Sequence, residues 1–381
     1  MQVTRMIFCV FLLFNCFNSQ ANSLPQQQAE PLFHSAVAHS TVPGINVAVA
    51  DKSGVVWAQG FGFADVENQV VMTPAHEMRI GSVAKVITAT ALMRLYERGK
   101  IDLDKAVTHY SKDWPSTHPT ITLRQLSSHT SGIRHYKKGA NEFLLNQTFN
   151  DVASGLALFK DEPLVFEPGS QYMYSTFAWT LVSAAMEGAD GKRDFKQIIQ
   201  QEVFNPLNMH NSHFDEQYTI IKHRQRPYSV YQGQLHNSPQ TDHSYKWAGG
   251  GFIATPSDIS RFAVAHLDGS YLKPTSANLM FTKAKLNNGE EVNFGIGWNI
   301  GFASYVGRSY YVNNAEAQNL MANMPNAVMH SGSSMGGTTM LILCLDHGRA
   351  VTVVKNVDGD RSGDVFLLAL KTLSFYHLLE P

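Results

Sequence analysis

The chain has 381 residues, 44% of them hydrophobic and 11% aromatic, with a formal net charge of -1 at pH 7. That is a globular composition, long enough for one large domain or two. No dense Lys/Arg run occurs, so neither a nucleic-acid partner nor any other polyanion is implied.

Residues 1–21 read as an export leader. Arg5 supplies the positive start, an apolar core runs from Met6 to Phe14, and Ser19-Gln20-Ala21 places small residues where a signal peptidase cleaves. The core is too short to span a bilayer, so a periplasmic or secreted protein without a stable membrane span is expected. Lipidation of Cys16 is the alternative to plain cleavage, with Asn15 an unfavourable residue before it. Cleavage removes Cys9 and Cys16 and leaves Cys344 alone, so no internal disulfide is expected. Cys344 lies in an apolar run over 340–345 and reads as a buried, inert thiol.

Residues 22–42 form a polar segment with a Gln triplet at 26–28, and a single folded domain is expected over 43–381. A strand over 45–50, a turn at Asp51-Lys52-Ser53-Gly54 and a second strand over 55–63 begin it. A helix opens at Ser82, is apolar on nearly every face to Tyr96, and stops at Gly99. Strands over 339–345 and 350–354, then a helix over 364–379, end the chain. Strands at both ends predict one antiparallel sheet closed by the termini, with a mostly helical region over about 82–290 beside it: an α+β architecture.

Three stations carry chemistry. In Ser82-Val83-Ala84-Lys85 the spacing puts the hydroxyl and the amine on one helical face, and the lysine leans back toward the serine. A serine becomes a nucleophile only when a neighbour takes its proton, and a buried lysine at a helix start is pushed toward the neutral form that can do so. In Pro168-Gly169-Ser170-Gln171-Tyr172-Met173-Tyr174-Ser175-Thr176 a turn leads into a helix predicted from Phe177 to Glu187 and ended near Gly188. Tyr174 at that junction is placed to relay a proton; the plainer reading is a helix cap at Ser175 or Thr176 with Tyr174 packed beside it. In His330-Ser331-Gly332 the missing side chain of Gly332 lets a substrate backbone lie against a strand edge. The N–H of Ser333, paired with that of Ser82, would hold an oxyanion.

Two rival signals fail. Gly332-Ser333-Ser334-Met335-Gly336 fits a Gly-x-Ser-x-Gly elbow, but a strand follows it where that elbow requires a helix. His210…His213 and His129…His135 lack a third ligand, and no paired-Cys or His-Glu-x-x-His pattern exists, so neither metal nor cofactor is expected.

In this order, Ser82-x-x-Lys85, Tyr174-Ser175 and His330-Ser331-Gly332 resemble the serine β-lactamase and penicillin-binding-protein family, nearest its class C and D-alanyl-D-alanine carboxypeptidase branch. The run Leu123 to Gly132 is similar to that family too, and within it the chain looks most like the LACTB group, through Gly132-Ile133-Arg134-His135-Tyr136, Pro168 to Phe177, and Ser244 to Phe252. The likeness runs from about Pro43 to Val357. It implies an antiparallel sheet flanked by N- and C-terminal helices, a helical region beside it, and a site at their junction. It also implies acyl transfer through Ser82, Lys85 and Tyr174, with His330, Ser331, Gly332 and Thr176 binding substrate and Ser82 and Ser333 holding the oxyanion. Thr176 stands where β-lactam-hydrolysing relatives usually have Asn, and His330 replaces the Lys of their Lys-Thr-Gly. A peptide or small amide or ester is therefore the expected substrate. A β-lactamase or carboxypeptidase and an inactive penicillin-recognising module are the alternatives.

Overall fold

A computed structural model of the chain describes residues 24–377. The expected leader, with Cys9 and Cys16, lies outside those residues, as do the last two positions of the C-terminal helix predicted over 364–379.

The elements that position the site are, in chain order, helix α1 (Pro25–Ala38), strands β1 (Gly44–Asp51), β2 (Gly54–Asp65) and β3 (Val70–Val71), and helices α2 (Ala84–Glu97), α3 (Phe177–Asp190), α4 (Trp247–Gly250) and α5 (Pro256–Leu267). Strands β4 (Asn299–Ile300), β5 (Ala327–Ser334), β6 (Gly337–Cys344) and β7 (Arg349–Lys355) and helix α6 (Val365–His377) follow. One seven-stranded antiparallel sheet runs β4-β5-β6-β7-β1-β2-β3. Its closure joins the ends of the chain, with Ile45 opposite Lys355 and Asp51 opposite Arg349.

Period-two alternation assigns the two faces. On β6, Met340, Ile342 and Cys344 join the cluster that holds Phe33 of α1 and Phe366, Leu370 and Leu373 of α6. Leu341 and Leu343 point the other way, into the core shared with α2, α3 and α5. The sheet is thus covered on one face by the terminal helices and on the other by the helical region, which is the β-lactamase/transpeptidase-like α+β arrangement.

Two expectations need correction. The polar segment 22–42 does not lie outside the folded body: α1 begins with Pro25 in its first turn, buries Ala29 and Phe33, and stacks Phe33 on Phe61 at 5.1 Å. Burying that ring stabilises by about 1.5–3 kcal/mol, so the folded body starts before residue 43. The helix expected to end near Gly188 continues to Asp190 and is capped by Gly191 in the left-handed region, φ +71°. Gly188 serves packing instead, since a β-carbon there would meet the Tyr110 carbonyl oxygen at 1.9 Å. The region over 82–290 also contains strands, among them Tyr228–Tyr231 paired with Gln234–Asn237, and Phe252–Ala254 paired with Ser212–Phe214.

Candidate active site

Ser82 is the middle residue of a short turn, Gly81–Val83, that leads directly into α2. Gly81 adopts φ +51°, and a β-carbon on it would sit 2.6 Å from the Ser333 nitrogen. At Gly332 a β-carbon would lie 1.9 Å from the Ile80 carbonyl oxygen and 3.2 Å from the Ser82 nitrogen. Two glycines thus allow the nucleophile turn and the edge of β5 to press backbone on backbone, and Ser82 and Ser333 line the same pocket.

Lys85 is wholly buried, one helical turn on. Its Nζ lies 3.0 Å from Ser82 Oγ, 3.3 Å from Thr176 Oγ1 and 2.5 Å from the Gly249 carbonyl oxygen. No carboxylate is among these partners. Burial first, and the nearby Lys246 charge second, hold its pKa well below the usual lysine value. Both causes favour the neutral amine over the ammonium ion. The neutral form has two N–H groups for Gly249 and Thr176 and a lone pair for the Ser82 hydroxyl.

Tyr174 lies under Lys85, whose Nζ is 4.9 Å from the ring centroid, and its hydroxyl is hydrogen-bonded to Ser82. Burial raises its pKa above the phenol range despite that bond, so it is a neutral donor. Ser175 Oγ accepts from the Ala178 N–H at 3.1 Å, capping α3, while Tyr174 beside it faces the nucleophile. Thr176 is buried and engaged by Lys85, and a β-carbon on Gly249 would meet its methyl at 2.7 Å.

His330 is also buried, and its Nδ1 donates to the Ser331 carbonyl oxygen at 2.6 Å. Burial, then the Lys85 charge, push its pKa down to about 3. Near neutral pH the ring is therefore a neutral wall, not a cation.

The pocket these residues share has a volume of about 610 Å³ and is also lined by His135, Tyr136, Phe143, Phe294 and Lys246. Four further contributors lie within the family-like runs. His129 Nδ1 accepts the Ser175 N–H at 3.1 Å, and its ring centroid is 4.3 Å from that of Tyr174. His135 Nδ1 accepts the Thr176 N–H at 3.2 Å. These two histidines therefore brace the tyrosine loop. Tyr136 is half-buried, with Thr176 as a side-chain hydrogen-bond partner. Lys246 is 2% exposed, with its Nζ 4.3 Å from the Phe143 ring centroid; burial first, and then Arg79, lower its pKa to about 7. Their signal was only proximity to recognised runs, because each acts across a long sequence gap.

Comparison with known proteins agrees with this layout. The family profile described as Beta-lactamase matches residues 29–372. Serine beta-lactamase-like protein LACTB, mitochondrial, from Homo sapiens is 30% identical over 404 positions, covering 83% of this chain and 71% of the relative. The octameric penicillin-binding protein homologue from Pyrococcus abyssi superposes with a TM-score of 0.75 at 23% identity, over 92% of this chain and 77% of that one. D-amino acid amidase from Ochrobactrum anthropi SV3, complexed with L-phenylalanine amide, gives a TM-score of 0.73 at 20% identity, over 92% and 98%. With nearly the whole described chain matched and the nucleophile turn, tyrosine loop and strand edge gathered in one pocket, the chain belongs to the beta-lactamase family.

Proposed function

We propose that the protein is a serine hydrolase that cleaves peptides or small amides through an acyl-Ser82 intermediate, acting after export. The observation that carries this is the contact of 3.0 Å between Ser82 Oγ and a fully buried Lys85 with no carboxylate partner. Lys85 takes the hydroxyl proton as Oγ attacks the acyl carbon. The proton passes through Tyr174 to the departing amine, and the Ser82 and Ser333 N–H groups stabilise the oxyanion. Water then attacks the ester, with the same pair returning the proton to Ser82.

The amide class is supported by the amidase named above and by the neutral His330. A β-lactam carboxylate would find no cation at that position, so β-lactam turnover is expected to be slow. The aromatic part of the pocket wall, Tyr136, Phe143 and Phe294, suits an uncharged acyl group. Among the described residues no helix is long and apolar enough to cross a membrane.

Intact-mass analysis after incubation with a fluorophosphonate tests the reading. One adduct on the wild type and none on Ser82→Ala is the expected result. Identical behaviour of the two would overturn it and leave a non-catalytic binding module.

A further inference from the structure

Far along β6 from the pocket lies a second cluster with chemistry. Ser333 pairs with Thr338 near the start of that strand, whereas Cys344 closes it at the other end, opposite Ala327 and Arg349. Alternation turns Cys344 to the face covered by the terminal helices. The β6–β7 turn brings His347 back over it, with Nδ1 3.0 Å from Sγ. The last turn of α6 then lays the His377 ring against His347, centroids 3.9 Å apart and planes within 12°.

We propose that Cys344, His347 and His377 form a binding site for a thiophilic divalent cation, zinc being the ion that this donor set suits. One ligand atom from each residue lies within 4.8 Å of the other two. A tetrahedral zinc, with bonds of about 2.0–2.3 Å, holds its donors about 3.3–3.8 Å apart. The Cys344–His347 pair is already close to that spacing, and rotation of the exposed His347 ring brings the third donor in. His377 Nε2 is buried and has no hydrogen-bond partner, a vacancy that a metal ion would satisfy. The charge of neighbouring Arg349 is offset by Asp51, 3.5 Å away. The exposure of His347 leaves a fourth position open to water.

One sulfur and two imidazoles favour zinc over magnesium or calcium, which prefer oxygen. On binding, the thiol gives its proton to solvent as the zinc–sulfur bond forms, so each zinc bound releases one proton. The site ties the last turn of α6 to the β6–β7 turn in a chain expected to have no internal disulfide, and binding to the folded form alone stabilises that form.

The full-length exported protein, stripped with EDTA, is titrated with zinc by calorimetry and with cobalt by absorption spectroscopy. One zinc per chain, a higher Tm and a thiolate-to-cobalt charge-transfer band are expected. Cys344→Ser and His377→Asn should each weaken zinc binding by more than about tenfold. Ser82 labelling by the fluorophosphonate should stay at the wild-type rate in both, which shows that the variants fold. No uptake by the wild type, or equal affinity in Cys344→Ser, overturns the site and leaves a thiol–imidazole hydrogen bond only.

Discussion

Gly332 and Ile80 touch backbone to backbone: a β-carbon on residue 332 would stand 1.9 Å from the Ile80 carbonyl oxygen. This contact fixes the distance between the strand that carries Ser333 and the turn that carries Ser82. The proposed oxyanion site therefore depends on a hydrogen atom where any other residue has a side chain.

Gly332→Ala is expected to lever β5 away from the nucleophile turn. The overpacking costs about 1–3 kcal/mol of stability. Displacement of one oxyanion donor lowers the acylation rate by about 10²–10³-fold. Urea melts and fluorophosphonate labelling rates measure the two effects separately. A variant that labels at the wild-type rate would show that Ser333 takes no part.

Lys85 acts when neutral, so labelling should fall as pH drops through its depressed pKa and rise to a plateau above it. Removing the Lys246 charge with Lys246→Met relieves one of the two causes of that depression. The Lys85 pKa then rises, and the acid limb of the rate profile moves to higher pH. Burial, the larger cause, remains, so the shift is partial. A limb that moves to lower pH, or stays fixed, contradicts the coupling.

His330, with its pKa pushed down to about 3, should remain neutral throughout about pH 5–8, where an ordinary histidine titrates. Its imidazole resonance, assigned by comparison with His330→Gln, is expected to show no titration across that range. Chromogenic cephalosporin should be turned over slowly by the wild type. Rapid turnover would mean that another group binds the carboxylate.

What the sequence made legible was local or periodic. Ser82 and Lys85 share a helical face by spacing alone, and the closing strands announce themselves by apolar runs bounded by turn residues. What it hid was either an ambiguity or a long-range contact. Gly188 and Gly191 are three residues apart, and only packing against Tyr110 separates the buried glycine from the cap. The Gln triplet masked α1, whose buried residues Ala29 and Phe33 are four apart, as on one helical face. Cys344 reads as inert because its run is apolar, while the partners of the proposed zinc site, His347 and His377, lie on a turn and on a separate helix.

His129 gives the sharpest separation of support from chemistry. It is fully buried, holds φ +62°, and lies against the Tyr174 ring while accepting the Ser175 N–H. His129→Ala removes the packed ring and orphans a buried donor, at a cost of about 2–4 kcal/mol. His135 is part-exposed at the pocket wall, accepts the Thr176 N–H and meets the Tyr174 ring only edge-on, centroids 5.6 Å apart. His135→Ala should cost less stability yet still slow acylation, because the Thr176 hydroxyl is one of the three contacts that hold Lys85. Denaturant melts together with labelling rates for both variants test the division. If His135→Ala left the labelling rate unchanged, Thr176 would be held by Tyr136 and Gly249 without help from the histidine.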